Sequence, residues 1–199
     1  MTFGVLMFHE VNELDVVGPY SVLNTARAFQ LSAGQDEENV LNLCTVAKSR
    51  NSVQTSAGMT ITPTWAFASA PQVDVLVVPG GVGLEGALRD KPLKRYLDAV
   101  KDSLTLAASI SGGALLLGAH GYLKDQVVTT HPELYERIED YEVLRVSRDR
   151  LVKNERVWCA GGSSAGLDLS LEFVRHFYGD ELAKRVRQHL DIPVQPGLF

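Results

Sequence analysis

Short runs in which almost every residue is apolar alternate along the chain with longer stretches of mixed polarity. Thr2–Phe8, Val40–Val46, Asp74–Val78 and Leu104–Ile110 are such runs. They predict strands buried on both faces, as in a parallel sheet covered by helices. Between them a helix is expected from about Gly18 to Phe29, with Pro19 in the first turn, where a missing N–H needs no partner. That places Glu13 and Asp15 in the loop or turn just before it. Ser32–Asn39 is a polar loop, Val53–Thr62 alternates about Ala57-Gly58 as a hairpin does, and Leu93–Ser103 is an amphipathic helix.

After Ile110, an Ala/Leu run from Gly112 closed by Gly121 predicts a buried helix with a glycine C-cap. Gln126–Thr130 reads as a strand, and Glu133–Tyr141 as a helix started by Pro132. Leu144–Val146, Leu151–Val152 and Val157–Ala160 read as short strands, the last two joined by a turn at Lys153-Asn154-Glu155. Ala165–Tyr178 carries Leu167, Leu171, Val174 and Phe177 on one helical face; Glu181–Leu190 is a last helix and Ile192–Phe199 a tail. Strands alternating with helices predict an α/β fold, a mostly parallel sheet with helices on both faces, as one domain over residues 1–199.

In such a sheet ligands collect at the carboxyl ends of the strands. Four segments fall there: Glu13–Asp15, Pro79–Gly83, Ser111–Gly113 and His131. Ser111, flanked by Ser109, Gly112 and Gly113, sits between a strand and a helix, where a sharp turn has no room for bulky neighbours. The string fits a nucleophile elbow and equally an ordinary tight turn that uses small residues for packing. In the elbow reading, the helix after Ser111 aims its first amides at negative charge forming near the hydroxyl. Gly80 and Gly81 allow backbone amides to approach a ligand, yet fit neither the phosphate loop nor the dinucleotide fingerprint, so an oxyanion-binding or packing role is expected.

Composition narrows the function classes. Net charge is −5 with no basic block, which argues against nucleic acid and anionic membrane as partners. No apolar stretch is long enough to span a bilayer, and Met1–Phe8 lacks the basic start of a signal peptide. The two cysteines, Cys44 and Cys159, lie in strand-like runs without metal spacing and are expected as buried thiols in a reducing cytoplasm, with no metal and no cofactor. His9 is read as a pocket-lining or a surface residue; His120, His176 and His189 as helix-surface or helix-end residues; Trp65, Trp158 and Tyr20 as packing, with Tyr20 nearest the site; and Asp168 as a structural hydrogen-bonder.

Taken together, Phe8–Tyr20, Val78-Pro79-Gly80-Gly81, Ser109–Ala114, Thr129-Thr130-His131 and Ala160–Asp168 resemble the ThiJ/PfpI superfamily over nearly the whole chain. The resemblance implies the flavodoxin-like three-layer sandwich of class I glutamine amidotransferases. Within the superfamily the chain looks most like the isonitrile hydratase branch and the amidotransferase-like domains of certain bacterial regulators. It implies a nucleophile at Ser111, where the family normally carries cysteine, and an acidic partner at Asp15. It also implies amides at Gly80 and Gly81, and a histidine at His131. Gly112 stands where the branches carry threonine or histidine. A serine hydroxyl needs a general base throughout, unlike a thiol, and His131 suits that role better than Asp15. Catalytic residues are therefore expected at Ser111, Asp15 and His131, with oxyanion or substrate contacts from Gly80, Gly81, Gly112 and Gly113. Two functions remain: an enzyme of the hydratase, hydrolase or lyase type acting on a small electrophile, or a catalytically silent module that keeps the pocket for ligand sensing or scaffolding. A homodimer is implied by the resemblance.

Overall fold

The computed structural model describes residues 1–194; the last five residues of the expected tail, 195–199, lie outside the described residues. Seven strands form the main sheet: β1 (Thr2–Leu6), β2 (Asn42–Ala47), β5 (Trp65–Ala66), β6 (Val75–Val78), β7 (Leu106–Ile110), β10 (Leu151–Lys153) and β11 (Val157–Ala160). Their order across the sheet is β10-β11-β7-β6-β1-β2-β5, every pairing parallel except β10 with β11. The apolar runs explain the centre: every residue of β6 and of β7 is buried. Two small ladders lie apart, an antiparallel hairpin of β3 (Val53–Gln54) with β4 (Thr60–Ile61) and a parallel pair of β8 (Val127–Val128) with β9 (Arg145–Val146).

Two helical layers flank the sheet, giving the flavodoxin-like α/β sandwich. Helices α1 (Glu13–Ser32), α6 (Ala165–Tyr178) and α7 (Asp180–His189) pack on one another. The others are α2 (Leu84–Arg89), α3 (Lys91–Val100), α4 (Gly113–Ala119) and α5 (Tyr135–Ile138), with α4 packed on β6 and β7. From β1 the chain moves to β2 and β5 on one side, then returns to β6, β7 and β11 on the other. The point of reversal lies between β1 and β6, where a crevice opens outside the strand ends.

Two expectations are corrected. Helix α1 begins at Glu13 rather than near Gly18, because Asn12 caps it: the Asn12 side-chain oxygen accepts from Leu14 N–H at 2.9 Å and Asp15 N–H at 3.2 Å. Asp15 therefore stands in the first helical turn, and Pro19 lies inside the helix. The expected helix Glu133–Tyr141 is a 3-10 turn at Pro132–Leu134, the single turn α5, and a second 3-10 turn at Glu139–Tyr141. His120 stands at a helix end, as the C-cap of α4, and is buried there: its Nδ1 is 2.8 Å from Asp98 Oδ1 on α3. By contrast Ala165–Tyr178 is helical over the expected span, Cys44 and Cys159 are buried free thiols, and His176 and His189 are exposed. Among the described residues no helix is long and apolar enough to cross a membrane, and no group of three or more His, Cys, Asp and Glu side chains is placed to hold a metal.

Candidate active site

Ser111 follows the last residue of β7 and adopts φ +52°, in the left-handed region that non-glycine residues rarely occupy. Two bonds hold it there: its N–H donates to Ala160 C=O at the end of β11 (2.9 Å), and its C=O accepts from Thr130 Oγ1 (2.8 Å). Strain of this kind persists only where surrounding contacts impose it, at a cost of about 1–3 kcal/mol. Packing behind the turn is equally demanding. A Cβ on Gly113 would lie 2.0 Å from the Val78 carbonyl oxygen, so only glycine lets the elbow press against the end of β6.

Asp15 is 0% exposed. Its Oδ2 accepts from Gly80 N–H at 2.8 Å, while Oδ1 has no hydrogen-bond partner among the described residues. Burial pushes its pKa above the ordinary carboxylate value; the neighbouring Ser163 hydroxyl, the Gly80 N–H and His131 pull the other way, and Glu13 adds to the rise. Gly80 is the layer between this carboxyl and the elbow, since a Cβ there would lie 3.3 Å from Asp15 Oδ2 and 2.8 Å from Gly112 N. Gly81 has φ +141°, and a Cβ would meet Glu10 O at 2.4 Å, so the loop runs tight against the turn before α1.

The pocket at this place has a volume of about 320 Å³ and is lined by Ser111, Gly81, Gly112, His131 and Ser163, among others. Asp15 and Gly80 stand behind its wall, and Gly113 is packed inside. The Gly80 amide is already engaged by Asp15, whereas Gly81 and Gly112 N–H have no acceptor among the described residues. His131 does not follow a main-sheet strand, because β8 pairs only with β9, yet its loop brings it to the same pocket. The side chain is 43% exposed, and Nδ1 accepts from Glu133 N–H at 3.4 Å. Among the described residues the Ser111 hydroxyl makes no hydrogen bond, either to Asp15 or to His131.

Sequence reasoning missed Asn12, Thr130 and Ser163 as parts of this site. Asn12, three residues before Asp15, carried a readable capping signal; the Thr130 bond to Ser111 carried none. Tyr20 lies elsewhere, in a cleft with Asn24, Asn42 and Trp65, and His9 is exposed beside a third cleft that includes Phe8, Lys48 and Phe67. Asp168 is 2% exposed and receives Arg150 Nε at 2.8 Å, while Trp158 stacks on Phe173, both structural contacts.

Comparison with known proteins agrees with the fold. The model of the DJ-1/PfpI family matches residues 2–176. Isonitrile hydratase of Pseudomonas putida is 28% identical over 196 residues, 98% of this chain and 80% of that protein. The Parkinson disease protein 7 homolog of Danio rerio is 25% identical over 190 residues, 94% of each. A crystal structure of a ThiJ/PfpI family protein from Pseudomonas syringae superposes with a TM-score of 0.86 at 24% identity, over 98% of this chain and 76% of that one. With the match running from β1 through nearly all of α6, the chain belongs to the DJ-1/PfpI family.

Proposed function

We propose that the protein is an enzyme that adds water to, or otherwise cleaves, a small electrophile of the isonitrile type at Ser111. The observation that carries this is the placement of Ser111, held at φ +52° on the wall of a pocket with the unengaged amides of Gly81 and Gly112, close to a buried carboxyl. Hydration of an isonitrile forms a C–O bond at the terminal carbon, places one proton on that carbon and one on nitrogen, and yields an N-substituted formamide. Ser111 attacks or orients the water. Asp15, whose pKa burial raises, is the group suited to carry the proton, and the two free amides stabilise negative charge as it develops. Ser111 stands here in place of the cysteine the family resemblance implies.

Purified protein incubated with cyclohexyl isocyanide should release N-cyclohexylformamide, followed by chromatography and mass spectrometry. Ser111→Ala and Asp15→Asn should each lower the rate by about 100-fold or more. No formamide above the buffer blank, or an undiminished rate in Ser111→Ala, overturns the reading. One observation favours the binding-module alternative: the Ser111 hydroxyl has no base within hydrogen-bonding distance among the described residues. A ligand that raises the melting temperature without being turned over would decide for it.

The protein is further proposed to work in the cytoplasm, consistent with two buried free thiols, and as a homodimer. Leu14 and Val17 on α1 are each 39% exposed and present an apolar strip beside the site. Light scattering should give twice the chain mass, and Val17→Lys should lower it; a strict monomer in the unaltered protein refutes the assignment.

A further inference from the structure

Asp15 is closed off from the reaction it is proposed to serve. Its carboxyl is 0% exposed behind the pocket wall, and one oxygen is taken by Gly80 N–H. Two serines line the pocket, Ser111 from the end of β7 and Ser163 from the turn between β11 and α6. Of the two, Ser163 is the one beside the carboxyl. Its hydroxyl lies near enough to favour the ionised form, while Oδ1 still lacks a formed hydrogen bond among the described residues. The Ser163 main chain is held, because its C=O accepts from Gly166 N–H at 3.1 Å in the first turn of α6. The residue is half-buried, so its hydroxyl turns toward the carboxyl or the pocket by rotation about a single bond. The other charged groups at this carboxyl are Glu13, which disfavours ionisation, and His131, which favours it. The imidazole is 43% exposed and forms no hydrogen bond with Asp15 among the described residues.

We propose that Ser163 is a catalytic residue, the relay that carries a proton between Asp15 and the substrate. The inference rests on the reading of Ser111 as the reacting residue, and it adds the group through which the buried carboxyl acts. As water oriented by Ser111 forms the C–O bond at the terminal isonitrile carbon, the Ser163 hydroxyl gives its proton to that carbon. In the same step it takes the proton held by Asp15. The added water then returns one proton through Ser163 to the Asp15 carboxylate. What remains is the imidic acid R–N=CH–OH, whose O–H proton moves to nitrogen to give the formamide. A hydroxyl suits this relay because it donates and accepts at once, so the pair gains and loses no proton over the cycle.

The test reads two quantities in the full chain. The first is turnover of cyclohexyl isocyanide: Ser163→Ala should lower kcat by about 100-fold with KM little changed. Ser163→Thr, which keeps the hydroxyl, should restore most of that rate. The second quantity does not depend on turnover. Difference infrared spectroscopy follows the C=O stretch of the protonated Asp15 carboxyl, assigned by its absence in Asp15→Asn. Because the Ser163 hydroxyl favours the carboxylate, Ser163→Ala should move the titration midpoint up in pH, and Ser163→Thr should bring it back. A titration midpoint that stays put in Ser163→Ala overturns the proposal. Formamide release that is lost in Ser111→Ala but kept in Ser163→Ala overturns the relay and leaves the catalytic reading standing. No formamide from the unaltered protein, with a midpoint that moves in Ser163→Ala, overturns the isonitrile reading and supports the link from Asp15 to Ser163.

Discussion

Gly112 and Gly113 are neighbours at the elbow, and the structure gives alanine opposite consequences at the two. At Gly113 a Cβ would sit 2.0 Å from Val78 O and 2.9 Å from Pro79 O, both backbone atoms at the end of a fully buried strand. Neither oxygen can swing aside, so the elbow must lift off β6 by about an ångström, disturbing Ser111 and the start of α4. Overpacking against a fixed wall costs about 3 kcal/mol or more here, at the upper end of what such insertions cost. In a chain of this size that lowers the melting temperature by about 6–12 °C. At Gly112 the backbone has φ −63° and ψ −11°, ordinary for alanine, and the atoms met are the far ends of two leucine side chains. Their displacement by a few tenths of an ångström is offset by the roughly 0.4–1 kcal/mol that Gly→Ala gains through the unfolded chain. Gly112→Ala should therefore stay within about 1 kcal/mol of the parent. Urea and thermal unfolding of both variants, followed by circular dichroism, measures the difference. A Gly113→Ala protein as stable as the parent, or a Gly112→Ala protein equally damaged, would refute this account of the elbow.

Asp15→Asn should stabilise the protein at pH 8, since burial raises the carboxyl pKa and the folded state then holds a proton that the unfolded chain releases near about pH 3.9. The parent loses stability as pH rises from there through the raised value and is level above it, so the gain of the variant must grow across that window; a melting-temperature difference independent of pH refutes the sign. Ser111→Cys should gain one cysteine that a mild alkylating agent modifies quickly, mapped by mass spectrometry to residue 111, and a rate no faster than in unfolded peptide would mean the pocket activates nothing. Glu172, side chain 1% exposed, meets Arg175 at 2.7 Å and pairs with Lys153. Burial alone would raise its pKa, yet these two partners outweigh that and hold it below the ordinary value. Its contribution is thus present above the unfolded pKa and lost as pH falls through the lowered one. Glu172→Gln should cost about 1–3 kcal/mol at pH 7 and less at pH 3, measured by urea unfolding.

Where the chain's own neighbours decide structure, the sequence was readable. Asp74–Val78 and Leu104–Ile110 are apolar because helices cover both sides, and they contain β6 and β7; Ala165–Tyr178 shows its helical period without interruption. Pro19 misled because it looks like a helix start, although it lies nearly two turns inside α1, where it forfeits the bond that Asp15 C=O would have accepted and its ring crowds that carbonyl. The competing signal was Asn12 with Asp15 three residues on, and its neglect put the buried carboxyl in a loop. His131 came to the pocket for a reason other than the one inferred, since β8 never joins the main sheet.

The remaining gaps share a cause. His120 follows an Ala/Leu run with nothing beside it to mark a partner, and the carboxylate it meets lies 22 positions back on α3. The same distance in sequence hides the bond from Thr130 to Ser111, 19 positions apart, and the bond from Gly80 to Asp15, 65 positions apart. Strand ends can be located from local pattern, because the sheet topology brings them to one edge whatever side chains they carry. Whether a side chain at one strand end reaches a group at another depends on ångström differences in loops that no periodicity encodes. That is why Ser111, Asp15, His131, Gly80 and Gly81 can be named from the chain while the bonds among them cannot. It is also why Gly80 N–H, expected to face a ligand, is found bound to Asp15: a buried carboxylate takes the nearest donor, since leaving it unpaired costs more than leaving an amide at a pocket wall for solvent.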